Sequence, residues 1–81
     1  MSSMITNYLA AALSRARYRL VDGNFCTTVP GLRGVVAMAP SVEACRAPLA
    51  EVIEEWILVR VARGLSVPAI GRATVRVRRA G

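Results

Sequence analysis

"RYRLVDGNFCTTVPGLRGVVAMAPS", residues 17–41, is the stretch whose reading decides the fold. Tyr18 and Leu20 alternate with Arg17, Arg19 and Val21, the period of a half-buried strand. Asp22-Gly23 then supplies a pair that tolerates positive φ, the usual signal for a tight hairpin. Phe25, Thr27 and Val29 alternate with Cys26 and Thr28 in a second strand. Pro30 removes a backbone donor and ends it. Gly31 and Gly34 permit a sharp reversal around Leu32 and Arg33, and "VVAMA" reads as a third strand. The loop is therefore expected to connect strands two and three. Gly31 or Gly34 should take positive φ, and Leu32 and Arg33 should stand at an accessible tip.

Beyond this stretch, Pro40 blocks further extension and Ser41 is a good N-cap. Val42, Cys45, Leu49, Val52, Ile53, Trp56 and Ile57 follow at helical spacing, predicting a helix to about Arg63. Glu43, Glu51, Glu54 and Glu55 fill much of its other face. Gly64 fits the C-terminal cap, and Arg60 and Arg63 favour the negative end of the helix dipole. Pro48 removes one internal hydrogen bond and predicts a kink. Residues 73–79 alternate again, Val75 and Val77 against Thr74, Arg76 and Arg78, which predicts a fourth strand. Before the first strand, Ile5, Leu9, Ala12, Leu13 and Ala16 mark an amphipathic helix over residues 4–16, with Ser2 or Ser3 as its cap. The order is α-β-β-β-α-β. It predicts an α+β fold with a helix-covered sheet, a single domain made of a leading helix (1–16) and the rest (17–81).

Eighty-one residues bury only about 60% of the surface of the unfolded chain, so a monomer of this size is marginally stable. Yet 54% of the residues are hydrophobic and the mean hydropathy is +0.43. The longest apolar run, "VIEEWILVRVARGL", is interrupted by Glu54, Glu55, Arg60 and Arg63, which excludes a membrane span. The N-terminal run is too short, and lacks the basic lead, for a signal peptide. Surplus apolar surface instead predicts self-association, as a homodimer or a higher oligomer. Two isolated cysteines, Cys26 and Cys45, predict reduced, buried thiols and a bacterial-type cytoplasm. All eleven basic residues are arginine, which fits a GC-rich coding bias. The net charge of +6 favours anionic partners, nucleic acid or an acidic protein surface.

The chain contains no histidine, so Ser-His and Cys-His nucleophiles are excluded. No phosphate-binding loop, dinucleotide fingerprint or metal-binding pair is present. Glu51 and Glu55 lie one helical turn apart on the polar face, where carboxylates serve solubility. The expectation is a non-enzymatic protein with no catalytic residues, cofactor or metal. Trp56 lies on the apolar stripe and reads as a core or interface anchor.

Residues 18–68 resemble a known family. Tyr18 on a first strand, Asp22-Gly23, a second strand ending at Pro30, Leu32-Arg33-Gly34, and Ser41 with Glu43 opening an amphipathic helix follow the pattern of the HicB-like fold. This fold is the N-terminal module of HicB antitoxins of bacterial toxin–antitoxin systems. The resemblance implies a β-β-β-α-β module: an antiparallel meander, a helix on one face and the last strand beside the first. Such a core is similar to a trimmed ribonuclease-H-like sheet without its catalytic carboxylates. It also implies protein binding, because HicB modules mask HicA-like RNA-cleaving toxins. In that arrangement Tyr18, Leu20, Val75 and Val77 share the helix-covered face, while Arg17, Arg19, Arg76 and Arg78 share the opposite one. Carboxylates of a second chain (Glu51, Glu54 and Glu55) or an anionic partner would offset those arginines. The expected partner-binding residues are Leu32, Arg33, Arg17, Arg19, Arg76, Arg78 and Trp56. No recognisable DNA-binding motif is present, so a nucleic-acid-binding alternative rests on the arginine-rich sheet face.

Overall fold

The computed structural model describes residues 4–71. Its elements are α1 (Met4–Ser14), β1 (Arg17–Val21), β2 (Asn24–Thr28), β3 (Val36–Ala39) and α2 (Val42–Ala62). The strands form one antiparallel sheet in the order β1-β2-β3, an α+β meander with a helix before it and a helix after it. The expected fourth strand at 73–79 and the expected cap at Ser2 or Ser3 lie outside the described residues.

Local chemistry accounts for each junction. Asp22 and Gly23 both take positive φ, 49° and 81°, and Val21 pairs directly with Asn24 across them. Positive φ at both central residues is the hallmark of a type I′ turn, whose twist matches that of the flanking strands. Ser41 is extended (φ −141°, ψ 162°) and its Oγ accepts from the Ala44 N–H at 3.1 Å, capping α2. At the other end Gly64 has φ 70°, its N–H donates to Val61 O, and the Leu65 N–H donates to Arg60 O at 2.8 Å. That pair of bonds is a Schellman stop. α2 runs unbroken through Pro48, which sits half-buried inside it.

The loop between β2 and β3 is two tandem turns. The Leu32 N–H donates to Val29 O, and the Val35 N–H donates to Leu32 O. Gly31 (φ 90°) and Gly34 (φ 83°) occupy the third position of each turn, and Pro30 the second position of the first. Positive φ at that position, after proline, fits type II geometry. The repeat of three residues sends Val29, Leu32 and Val35 inward, and all three are buried. Leu32 is only 4% exposed, which corrects the expectation of an accessible tip; Arg33 is exposed. Val35 belongs to the second turn for the same reason, so β3 begins at Val36 rather than one residue earlier.

The core joins both helices to the sheet. Leu49, Ile53 and Ile57 of α2 are fully buried with Tyr8 and Ala12 of α1, beside the buried Ala37 of β3. Val67 and Ile70, from the segment after α2, close the cluster. α2 packs on β3 and β2, and α1 packs on α2. The register keeps Tyr18 and Leu20 on the helix-covered face, as expected. Leu20 shares the covered face by register, opposite Phe25, yet it is 67% exposed, because α2 lies over the β2–β3 side of the sheet. Under the helix, by contrast, Thr27 is wholly buried and its Oγ1 has no hydrogen-bond partner.

Candidate functional site

Two surfaces carry the exposed functional groups. The first is the sheet face away from α2. The register places Arg17, Thr28 and Val36 in one row across the strands and Arg19, Cys26 and Met38 in the next. Rows two residues apart are separated by about 7 Å. Arg17, Arg19, Val36 and Met38 are exposed, Met38 to 54%. At the β1 end, Arg17, Tyr18, Arg19, Val21, Cys26 and Thr28 line a concavity of about 420 Å³. The result is bare aliphatic and thioether surface at the β3 edge of the face and two guanidinium groups at its β1 edge.

The expectation for the arginines is met for Arg17 and Arg19, which share this face; Arg76 and Arg78 lie outside the described residues. Cys26, a free thiol, is half-buried beside Arg19. Cys45 is buried under the sheet, where its Sγ donates to Phe25 O at 3.5 Å. The two cysteines therefore lie on opposite sides of the sheet.

The second surface lies along the last three turns of α2. Val52, Glu55, Trp56, Val59, Arg60, Arg63 and Leu65 line a cleft of about 380 Å³. Trp56 is half-buried, and its Nε1–H donates to Arg33 O at 3.0 Å, tying the tandem-turn loop to the helix. The Arg60 guanidinium stands over the Trp56 ring, 4.9 Å from its centroid, and its Nε–H donates to Ser66 O at 2.7 Å. Stacking of this kind holds a flat cation against an indole while leaving one edge in water. Of the expected binding residues, Arg33 and Trp56 thus come together here, apart from Arg17 and Arg19.

Tyr8 is not legible as a site residue from spacing alone, whereas Arg60, four residues after Trp56 on one helix, stands at the spacing that brings two side chains together. Tyr8 is fully buried on α1, and its hydroxyl donates to Pro68 O. Burial pushes its phenol pKa above 10.0, with the nearby Arg60 charge pulling the other way. One signal is present in the sequence: Tyr8 and Ala12 are one helical turn apart, and a small residue beside a ring marks a close helix contact. Among the described residues no group of three or more histidine, cysteine, aspartate or glutamate side chains could hold a metal ion. No helix among them is long and apolar enough to cross a membrane.

A helix, a tight hairpin extended to a meander, and a second helix across one face define a small α+β scaffold. Residues 7–68 match the UPF0150-like family, and the chain belongs to that family. The matched segment starts one residue before Tyr8 and ends at Pro68, so the bond between those two closes the family region end to end. The chain is also similar to the crystal structure of TTHA0281 from Thermus thermophilus. The two are 31% identical with a TM-score of 0.86, and the alignment covers 98% of this chain and 100% of that one. No curated protein matches the chain.

Proposed function

We propose that this chain is a non-enzymatic, HicB-like protein-binding module that serves as the antitoxin of a HicA-like, RNA-cleaving toxin. The observation that carries the reading is the open sheet face. Val36 and Met38 are left bare on β3, at one edge of the sheet, with Arg17 and Arg19 on β1 at the other, across Thr28 and Cys26 of β2. Arginine and methionine are enriched at protein interfaces, and a flexible thioether adapts to the shape of its partner. A partner surface that fits is apolar where it meets β3 and carries carboxylates where it meets the two guanidinium groups of β1. Family membership and the β-β-β-α order support the same reading.

The test is co-expression with the product of the adjacent reading frame, scored by growth and by RNA integrity. Wild-type protein should protect; Met38→Asp and the double variant Arg17→Glu/Arg19→Glu should lose protection while keeping the wild-type circular dichroism spectrum. Undiminished protection by both variants would falsify the assignment of this face. A second reading, nucleic-acid binding, is favoured by the same two arginines. It predicts retention of RNA whose log affinity falls with log salt by about 0.7 per phosphate contacted, and loss of that slope in Arg17→Gln/Arg19→Gln.

A further inference from the structure

The cleft along α2 has a self-complementary charge order. Val52, Trp56, Val59 and Arg63 fall on one narrow stripe of the helix, with Glu55 and Arg60 on its two flanks. Val59 and Leu65 are exposed although both are apolar. Arg60 is already committed to Ser66 O and to the Trp56 ring. Glu55 and Arg63 are eight positions apart, about 12 Å along the axis, too far to meet within one helix.

We propose that this groove is covered by a second copy of the chain, with the two α2 helices antiparallel about a two-fold axis at Val59. An isologous contact of this kind places residue i against a fixed counterpart in both directions. With the axis at Val59, Glu55 of one protomer faces Arg63 of its partner, and Arg63 faces Glu55. Trp56 lies opposite Ala62, a small residue that leaves room for the indole. Leu65, just past the Schellman stop, falls near Val52. Each half of the seam thus supplies an ion pair and apolar contact, and the two Val59 side chains meet on the axis. Charge of both signs in this order is what distinguishes a second copy from a purely acidic or purely basic partner. The contact leaves the open sheet face free, so it is independent of the binding role proposed above.

The experiment is sedimentation analysis over a concentration series, with circular dichroism to confirm folding. Wild-type protein should dimerise reversibly. Glu55→Arg places like charges together twice per dimer, as does Arg63→Glu, and each should weaken dimerisation about tenfold or more. The double variant Glu55→Arg/Arg63→Glu recreates both pairs with the signs exchanged and should return the affinity to within a few-fold of wild type. Should either reversal fail to fold, Glu55→Gln and Arg63→Gln give the same reading with a smaller loss. A wild-type monomer at every concentration, single variants that dimerise like wild type, or a double variant that stays as weak as the singles would each overturn the proposal.

Discussion

The two faces of the sheet differ in what lies over them, and only secondarily in residue type. Beneath α2, Thr27 is wholly buried although it is polar, and Ala37 and Ala39 are buried although they are small. On the open side, Val36 and Met38 are exposed although both are apolar. Leu20 sharpens the point, because it belongs to the covered face by register and still meets solvent. Strand alternation assigns a side chain to a face; whether that face is buried depends on where the helix lands. For α2 the landing site is fixed by Leu49, Ile53 and Ile57, which meet the inward residues of the tandem turns and β3.

The largest test of that contrast is Ile53→Ala. Ile53 is fully buried between helix and sheet, and deleting it should destabilise the fold by about 2–5 kcal/mol in denaturant titration. A smaller loss, comparable to that of a surface residue, would mean that α2 does not seal the covered face. Trp56→Ala comes next. Its ring is half-buried, so the expected loss is about 2 kcal/mol, short of that of an enclosed indole. Trp56→Phe keeps an aromatic ring but leaves Arg33 O without its donor, and the loss in that variant reads out the hydrogen bond.

Tyr8→Phe removes the donor to Pro68 O and should cost about 1 kcal/mol at neutral pH. The pH dependence is more diagnostic. The folded phenol ionises above 10.0 because it is buried, whereas the unfolded one ionises at its ordinary value. Stability from this group is therefore intact below pH 10.0. It falls as pH rises from there through the folded-state value. Chemical denaturation across that range should show a steeper alkaline decline for wild type than for Tyr8→Phe; parallel curves would refute the buried-phenol assignment. Smallest of all, Arg17→Gln and Met38→Ser should each change stability by no more than about 0.5 kcal/mol. A large loss in either would show that the open face is covered within the folded chain.

Much of this architecture is legible in the sequence because short-range chemistry sets it. Asp22-Gly23, Ser41 and Gly64 each act within a few residues, and all three do what their types predict. Positive φ, expected at Gly31 or Gly34, is present at both. Leu32 is harder to place, because the spacing of Pro30, Gly31 and Gly34 suggests one reversal with an outward tip. Two turns in tandem, with apolar residues every third position, turn the same side chain inward. Leu20 defies its alternation because nothing local records that α2 lies toward β3. Tyr8 and the segment after α2 escape a local reading for a related reason. Their contacts join positions up to sixty residues apart, which spacing along one element cannot reveal.

The short third strand bears on how this chain fares when it is abundant. "VVAMA" is an uncharged, β-favouring run without proline, the composition that stacks into intermolecular sheets when a long edge is left bare. Here the second turn takes Val35 into the core and Pro40 follows Ala39 directly, so that among the described residues β3 is an edge of only four residues. An incoming strand would find too few backbone groups in line to add itself stably. The side chains of Val36 and Met38 can thus stay uncovered in a crowded cell without the strand that carries them seeding aggregates.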